Sequence, residues 1–417
     1  MHIVIYEDEA VSGLFPIAEA RPVFSVRTAG LTLEEALVHT FPKASMSGIA
    51  RTDILPNMTA QVFDKEHVEK NDGFLFINGR VAPSLSALKL LKDTLDSEKG
   101  PARQKGHSGG DFVITSGSTL VGLYTKTLIH EETSHLPTFL NARAQGTREY
   151  ILPLKCFTYP EDVVLFNNQE IGENLFRYST KMRSKKRGLF VGKNVTLPKE
   201  CVIDTTKGPV VIGDNTRINP FVVIHGPVSI GHDSLIRSFS LIESNTTIGN
   251  VCKIGGELEN CVIDDYSNKQ HKGSVGSSYV GSWVNIGGGT SVSNLKNTYS
   301  SVSIAGRDSG SQFLGAIIGD YVKTAVNSSI FPGKIIGTNA HVYGMVTSDV
   351  PAFTSHVAPG KLYELPVAIA QKIQSAMAKR RGMNQTDAHD KMFEQIFANN
   401  SGNRASNNVS KGKLNFE

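Results

Sequence analysis

Aliphatic residues followed by glycine recur at a fixed interval in the middle of the chain. Ile212-Gly213, Ile230-Gly231 and Ile248-Gly249 start eighteen residues apart, and Ile318-Gly319 and Ile336-Gly337 repeat that interval further along. A constant period over this length is the signature of a repeat architecture. The pattern extends from about residue 188 to about residue 354.

Each interval of eighteen residues divides into three hexapeptides, most with an aliphatic side chain at the third position. Small or polar residues stand between them, and glycine often follows the aliphatic residue, where a turn can require a positive φ. Three short faces per turn, each directing one aliphatic side chain inward, predict a triangular prism of parallel strands. Stacked coils bury a continuous core that one coil alone cannot. The alternative, a β-sandwich, would not keep this phase.

The first 180 residues follow a different pattern, in which short apolar runs alternate with segments of helical spacing. Strands are predicted at residues 2–6, 73–80, 111–115 and 120–124, and helices at residues 31–37 and 85–95, with Thr32 as the first N-cap. This alternation predicts an α/β sheet with helices on its faces. Ligands of such sheets bind outside the carboxyl ends of the strands, which here are residues 7–9 and 78–80.

Charge balance, apolar stretches and cysteine spacing indicate which binding partners and which cellular compartment to expect. The 43 Lys and Arg residues against 39 Asp and Glu residues give a net charge of +4, too balanced to indicate a nucleic-acid partner. The N-terminal residues lack the basic and apolar regions of a signal peptide, and no apolar stretch is long enough to span a membrane. The four cysteines show no CxxC spacing. We therefore expect a cytoplasmic protein without a membrane partner.

The repeat stops after Pro351, and the remaining residues predict a helical tail. Apolar residues three or four apart between residues 362 and 377 predict an amphipathic helix, with Pro366 in its first turn. We expect residues 361–397 to form a helical cap over the open end of the prism. Residues 399–417 are rich in Asn, Ser, Lys and Gly and are predicted to be disordered.

An α/β domain followed by hexapeptide repeats resembles the bifunctional N-acetylglucosamine-1-phosphate uridyltransferase/glucosamine-1-phosphate acetyltransferase family. The chain is more similar to a shorter sugar-nucleotidyltransferase-like branch of it. The resemblance is carried by residues 21–33, 78–80, 266–271 and 284–290. It implies a nucleotidyltransferase-like α/β domain at 1–180, a left-handed parallel β-helix with acyltransferase activity at 188–354, and a homotrimer.

In the first domain the resemblance implies binding of a nucleoside triphosphate and a sugar 1-phosphate. The acidic stretch Glu7–Glu9 stands where the family has a Gly-rich phosphate loop, so Arg21 and Arg27 would supply the cations. Asn78 and Asn168 stand near the family's Mg²⁺ ligands. Two alternatives remain open: the arginines form ion pairs, and the asparagines are turn residues.

In the prism the resemblance implies acyl transfer from acetyl-coenzyme A, with His271 as general base. His271 precedes Val284-Asn-Ile-Gly-Gly-Gly-Thr290 by the thirteen residues that separate the two motifs in the family. The pKa of histidine suits a base near neutral pH. The alternative for a single histidine is a surface or structural imidazole.

The same register implies further binding residues around His271. Asn285 and Asn294 would bind sugar or acyl carrier, Glu257 would contact the sugar, and Lys323 is available to a phosphate of coenzyme A. The family's basic residue near the sugar phosphate is replaced by Glu259, and a sugar-binding Tyr is replaced by Ser274. These two departures leave the identity of the acceptor open.

The leading hypothesis is a sugar-nucleotide biosynthesis enzyme of the UDP-N-acetylglucosamine type. It would combine sugar-1-phosphate nucleotidyl transfer, with Mg²⁺, and acetyl-coenzyme A-dependent N-acetylation of an amino-sugar phosphate, in either or both domains. The alternatives are a glucose-1-phosphate thymidylyltransferase-like enzyme, an acyltransferase whose first domain only binds substrate, and a non-catalytic sugar-nucleotide-binding scaffold.

Overall fold

The computed structural model describes residues 1–51, 73–99, 110–126 and 136–414. They divide into two compact units. The first contains Met1–Leu14, Arg21–Val26 and Leu31–Thr158, and the second contains Phe15–Ala20, Arg27–Gly30 and Tyr159–Glu417. The division differs from a boundary at residue 180, because the helix after Thr158 and two short segments from the first thirty residues group with the second unit.

The first unit is built on a mixed six-stranded sheet. Its strands are β1 (His2–Tyr6), β2 (Ser45–Ile49), β3 (Phe74–Asn78), β4 (Phe112–Ser116), β5 (Thr119–Thr125) and β6 (Arg148–Ile151), in the order β2-β1-β3-β5-β4-β6. β1 pairs in parallel with β2 and β3, whereas β5 runs antiparallel to both β3 and β4. The α/β prediction is therefore confirmed, and the carboxyl ends of β1 and β3 lie side by side.

The described residues of this unit include three α-helices, α1 (Leu33–Thr40), α2 (Leu85–Lys99) and α3 (Leu136–Ala144). Short 3₁₀ helices occupy Glu9–Leu14 and Val23–Ser25. The predicted cap of α1 is confirmed as a capping box, in which Thr32 Oγ1 accepts from the Glu35 N–H at 3.1 Å and Glu35 Oε2 accepts from the Thr32 N–H at 2.9 Å.

The second unit is a triangular prism of short strands that pair in parallel, except for the antiparallel end strands Ser184–Lys186 and Lys361–Glu364. The first face comprises Ser184–Lys186, Leu189–Val191, Val210–Ile212, Val228–Ile230, Thr246–Ile248, Val262–Ile263, Tyr279–Val280, Ile317–Ile318 and Ile335–Ile336. The second comprises Arg217–Ile218, Leu235–Ile236, Lys253–Ile254, Asn268–Lys269, Lys323–Thr324, His341–Val342, Thr354–Ala358 and Lys361–Glu364. The third comprises Val202–Asp204, Val223–His225, Leu241–Ile242, Glu257–Glu259, Ser274–Gly276, Ser291–Val292, Ser329–Ile330 and Met345–Val346.

The strand register explains why the repeat loses its even phase in the middle. Val210, Val228 and Thr246 are partners eighteen residues apart, but the next steps on the first face are shorter, from Thr247 to Val262 and from Val262 to Tyr279. The following coil is much longer, because Tyr279 pairs with Ile317. His271 therefore lies among shortened coils.

Inward-pointing aliphatic side chains stack in columns and form one continuous core. Ile218, Ile236 and Ile254 are partners on successive coils of the second face, and each is fully buried. Burying one such side chain stabilises a fold by about 1.5–3 kcal/mol. Cys252 and Cys261 are buried in this region as free thiols and contribute to the core.

The long coil carries an inserted segment that contains the hairpin of strands Ser303–Ile304 and Arg307–Asp308. Its Arg307 guanidinium lies 3.0 Å from Glu161 of the same chain and 3.9 Å from the centroid of the Tyr159 ring. The insertion thus packs on the start of α4 (Glu161–Ser179) of its own chain.

The tail differs from the predicted end cap and disordered segment. Lys361–Glu364 pairs with the last coil, and helices α5 (Val367–Lys379), α6 (Asp387–Asn399) and α7 (Ser401–Ser406) follow. Phe393 of α6 packs edge-on against Tyr321 and Phe353, which lie at one corner of the prism on coils separated by that of Asn339. The helices are therefore held along a corner of the prism because its aromatic side chains offer apolar surface, and only residues 415–417 of the predicted disordered segment lie outside the described residues.

Within the described residues, no helix has both the length and the apolar character required to cross a membrane.

Candidate functional site

A groove of about 380 Å³ lies on the outer surface of the third face. Its floor is formed by four adjacent strands, Glu257–Glu259, Ser274–Gly276, Ser291–Val292 and Ser329–Ile330. Side chains alternate between the core and the surface along each strand. Leu258 is fully buried, for example, whereas the glutamates on either side of it are exposed.

The groove brings together two of the residues predicted to bind the acceptor. Glu257 and Asn294 both line it. The Asn294 Nδ2 atom donates to Ser277 Oγ at 3.1 Å, which fixes the direction of the amide. Glu259 and Ser274, which replace the family's basic residue and Tyr, line the same groove. The two residues that differ from the family therefore lie in the same groove as the two that match it.

His271 lies at the corner of the prism that leads into this groove. It is exposed, follows the second-face strand Asn268–Lys269 and precedes the third-face strand Ser274–Gly276. Gly288 on the next coil packs beside it, since a Cβ atom on Gly288 would lie 3.3 Å from His271 Cβ and 3.5 Å from its Cγ. The second glycine of the Gly-Gly-Gly motif thus leaves space for the imidazole against the neighbouring coil.

A buried lysine holds the turn that carries His271. Lys269 replaces an aliphatic residue in the core column of Ile218, Ile236 and Ile254, and its side chain is almost fully buried. The ammonium donates to the carbonyl oxygens of Gly255 and His271, both at 2.8 Å. Burial lowers the pKa of Lys269 to about 8, and Cys261 and Glu257 oppose that shift. Because its partner is the backbone of His271, Lys269 is a candidate positioning residue.

We expect Lys269→Met to change how stability depends on pH. Between about pH 8 and pH 10.4 the folded chain loses the Lys269 proton while the unfolded chain keeps it, so the stability of the parent rises with pH. The parent should therefore gain up to about 3 kcal/mol of unfolding free energy relative to Lys269→Met over this window. Urea titrations at pH 7, 8, 9 and 10, at one protein concentration, measure this gain.

The control for that experiment is Lys272→Met, because Lys272 is an exposed lysine on the same turn. Its difference from the parent should stay constant with pH. Parallel stability curves for the parent and Lys269→Met would show that Lys269 does not titrate in the folded state as its burial requires.

Asn285 and Lys323 lie on the second face, one face away from the groove. Asn285 pairs with Asn268 on one side and with Lys323 on the other. The Lys323 ammonium donates to the carbonyl oxygens of Trp283 at 3.0 Å and Tyr321 at 2.6 Å, and burial lowers its pKa to about 7. This bonding favours a role in stabilising the corner over the predicted contact with a phosphate of coenzyme A.

At the carboxyl ends of β1 and β3 the first unit contains a closed network of charges. The Arg80 guanidinium donates to Asp8 Oδ1 at 2.7 Å and to Asp8 Oδ2 at 2.6 Å. The Asn78 Nδ2 atom donates to Asp8 Oδ2 at 2.7 Å, and Asn78 Oδ1 accepts from the Arg80 N–H at 2.9 Å. Glu7 accepts from the Arg51 side chain and from two backbone N–H groups. Glu7 and Asp8 of the acidic stretch are thus paired with arginines of their own unit.

This network leaves Asn78 poorly suited to bind Mg²⁺. Its amide oxygen already accepts a hydrogen bond, and the Arg80 guanidinium is bound to the same Asp8 carboxylate. Asn168 belongs to the other unit, on α4, where its Oδ1 accepts from Asn167 Nδ2 at 3.4 Å. Across the described part of the chain, no group of three or more His, Cys, Asp or Glu side chains is placed to hold a metal ion. Asn78 is therefore a poor candidate for a Mg²⁺ ligand, and a metal contact of Asn168 stays a prediction.

The two arginines predicted to bind phosphate also fall in different units. Arg21 is buried in the first unit. Arg27 groups with the prism, where its guanidinium donates to the Gly30 carbonyl at 3.2 Å and its Nε lies 3.5 Å from Asp265 Oδ1. For Arg27 this arrangement corresponds to the ion-pair alternative, and a phosphate contact of Arg21 stays a prediction.

Sequence reasoning missed three structural features. Lys269 could have been found as the polar residue in an otherwise aliphatic column. The Asp8–Arg80 pair joins residues far apart in the chain and leaves no local signal. Asn167, next to the predicted Asn168, is fully buried and accepts from Ala29 N at 2.9 Å and from Thr247 Oγ1 at 2.7 Å. Its amide, rather than that of Asn168, joins α4 to the prism.

Two parts of the chain match known protein families. Residues 3–183 match the sugar nucleotidyl transferase family, and residues 209–244 match the bacterial transferase hexapeptide family with six repeats. A bifunctional sugar-1-phosphate nucleotidylyltransferase/acetyltransferase of Sulfurisphaera tokodaii is 38% identical over 106 residues, which cover 24% of this chain and 26% of that protein. This match thus spans about a quarter of that relative.

A second relative is covered more fully. The uncharacterized acetyltransferase YaiX of Escherichia coli O6:K15:H31 is 38% identical over 156 residues, which cover 36% of this chain and 68% of that protein.

Two solved structures are more distant. The Francisella novicida UDP-N-acetylglucosamine acyltransferase is 19% identical with a TM-score of 0.27, over 48% of this chain and 71% of that one. AntD, an N-acyltransferase from Bacillus cereus solved with dTDP and 3-hydroxybutyryl-CoA, is 20% identical with a TM-score of 0.22, over 48% and 98% of the two chains.

The sugar nucleotidyl transferase match, the hexapeptide repeats and the coverage of YaiX lead to one assignment. The chain belongs to the family of the Escherichia coli acetyltransferase YaiX, and it joins a sugar nucleotidyl transferase domain to a left-handed β-helix of bacterial transferase hexapeptide repeats.

Proposed function

We propose that the prism is an acyltransferase that moves an acetyl group from acetyl-coenzyme A to the amine or hydroxyl of a sugar. The observation that carries this proposal is the position of His271, exposed at the corner that leads into the groove containing Glu257 and Asn294. The acetyltransferase names of the relatives support the same chemistry.

The transfer needs a base and a place for the acceptor. The acceptor nitrogen or oxygen attacks the thioester carbonyl carbon, the carbon–sulfur bond breaks, and coenzyme A leaves as a thiol. His271 takes the proton of the attacking atom, because imidazole is the side chain that enzymes use most often as a general base. The groove residues orient the acceptor, and Lys269 holds the carbonyl of His271 in place.

Release of the coenzyme A thiol tests this proposal. The full chain should consume acetyl-coenzyme A faster when amino sugars or amino-sugar phosphates are added than in their absence. Mass spectrometry of the acceptor should show the added acetyl group. If no member of the panel accelerates thiol release, the acyltransferase proposal is wrong and the prism is a scaffold, as the non-catalytic alternative holds.

Nucleotidyl transfer by the first unit is the second candidate function, favoured by the family match over residues 3–183. We expect pyrophosphate release when a nucleoside triphosphate and a sugar 1-phosphate are supplied together, assayed with added Mg²⁺ and with a chelator. UTP and TTP distinguish a uridyltransferase from a thymidylyltransferase-like enzyme. Because the Asn78 amide is bound to Asp8 and to the backbone of Arg80, an absence of pyrophosphate across several sugars would favour a substrate-binding role for the first unit.

A homotrimer accompanies the acyltransferase proposal, because grooves on prism faces can be completed between copies. The stacked rings of Phe221 and Phe239, whose centroids are 5.5 Å apart, offer exposed apolar surface for such contacts. Sedimentation equilibrium of the parent and of Phe239→Ser tests this surface, and a monomeric parent would exclude the trimer.

A further inference from the structure

The groove that follows the His271 corner is lined by acidic and hydroxyl groups, and among the described residues no lysine or arginine lines it. Glu257 and Glu259 are two residues apart on one strand, so their side chains leave the same surface about 7 Å apart. We propose that this groove selects an amino sugar that enters as an ammonium ion and carries no phosphate within the groove. This inference rests on the proposed acyltransferase function and names its acceptor class.

Three cationic side chains from the region around the groove are bound to other groups of the chain. The Lys269 ammonium is bound to two backbone carbonyls inside the prism. The Lys296 ammonium donates to the Ser301 carbonyl at 2.9 Å, and Arg307 is paired with Glu161. Lys272 lies beside His271 at the corner and is not part of the groove lining. A phosphate placed between the two glutamates would therefore meet like charge without a compensating cation.

The remaining lining suits a sugar ring. Four serine hydroxyls and the Asn294 amide offer hydrogen-bond partners for sugar hydroxyls. Phe331, which is 43% exposed, stands beside them and can pack against the apolar face of a ring. The polar groups and the aromatic ring recognise the sugar, while the two carboxylates attract its ammonium group.

The charge selection is compatible with the chemistry of transfer. The acceptor enters as R–NH₃⁺ and loses one proton to His271 and then to solvent before the free amine attacks the thioester. Attack forms the C–N bond and breaks the C–S bond, and the second nitrogen proton passes to the departing thiolate. The products are the amide, coenzyme A and one released proton, so no additional reactant is required.

Acceptor competition tests the selection. The ratio of kcat/KM for glucosamine to that for glucosamine 1-phosphate, at saturating acetyl-coenzyme A, should exceed about tenfold in the parent. Glu259→Gln should reduce this ratio, and Glu259→Lys should reverse it by introducing a cation that can pair with the phosphate. Glu257→Gln provides an independent variant of the second carboxylate. Raising the ionic strength should weaken the preference, because both carboxylates are exposed to solvent.

The matched control is Glu243→Gln, which removes a carboxylate from the next strand of the same face, outside the groove and paired with His225 at 2.9 Å. Its ratio should equal that of the parent. A parent that prefers the 1-phosphate, or a ratio unaffected by Glu259→Lys, would overturn the inference.

The inference can also be tested without turnover. Calorimetric titration of the parent and Glu259→Lys with each acceptor measures the same selectivity as a ratio of Kd values. If the parent binds glucosamine more tightly but transfers no acetyl group, only the acyltransferase proposal fails. If it binds glucosamine 1-phosphate more tightly, or binds neither acceptor, the charge selection is wrong.

Discussion

Replacing His271 with alanine is expected to lower kcat for acetyl transfer by about a hundred- to ten-thousand-fold. The side chain is exposed, so its loss should leave the core of the prism and the unfolding free energy nearly unchanged. Its removal leaves the acceptor without the group that takes its proton. Initial rates of thiol release, with thermal unfolding as the check on folding, measure both effects.

His232→Ala is the appropriate control for that experiment. His232 is also an exposed histidine on the prism, where its ring bonds to Asp233 at 2.7 Å, and it is not part of the groove lining. Its variant should retain the parental rate. If His271→Ala also retains it, the imidazole has only a surface role and the base must be another group.

Gly273→Ala is expected to destabilise the protein by about 3–5 kcal/mol, the largest effect of a small substitution near the site. Gly273 has a φ of +119°, a region that side-chain-bearing residues rarely enter, and an added Cβ would lie 2.1 Å from the backbone oxygen of Thr290. Backbone strain and a clash with a neighbouring coil therefore act together. Urea unfolding of the parent and variant measures the loss.

Gly306→Ala separates the cost of backbone strain from the cost of the steric clash. Gly306 also has a positive φ, +76°, but an added Cβ there has no atom within 4 Å among the described residues. Its replacement should cost about 1–2 kcal/mol, from backbone strain alone. Equal losses at the two positions would mean that the contact with Thr290 does not contribute, and that the turn after His271 is less closely packed than the structure indicates.

The shortened coils show how far the sequence pattern can be extended. The eighteen-residue period predicts stacked coils where each hexapeptide supplies one aliphatic side chain, and that prediction is confirmed for the coils that begin at Val210 and Val228. It cannot place the coil around His271, because losing one to three residues from a turn shifts the phase without changing which side chains are apolar. Pairing of the backbone between coils decides the register there.

The sequence predicts the groove on the prism and the charged network at the ends of β1 and β3 to different extents. Glu257 and Asn294 were predicted from their register with the family motifs, and the pairing of coils on the third face brings them to one groove. Asn78 and Arg80 were predicted at the carboxyl end of a strand, and they lie there. Their partner Asp8 follows another strand, and only the parallel pairing of β1 with β3 brings the carboxylate to the guanidinium.

The sequence by itself determined the architecture, because the spacing of apolar residues specifies which side chains can share a core. It also determined the position of His271 relative to the Gly-Gly-Gly motif, since both lie within one coil of each other. Only the tertiary structure decided which charged groups are available. Lys269, Lys323, Arg27 and Arg80 each carry a cation that could meet a phosphate, yet each is bound to carbonyls or carboxylates of the folded chain. The reason is physical: a buried charge must be solvated by the protein, and the groups that solvate it come from distant parts of the chain.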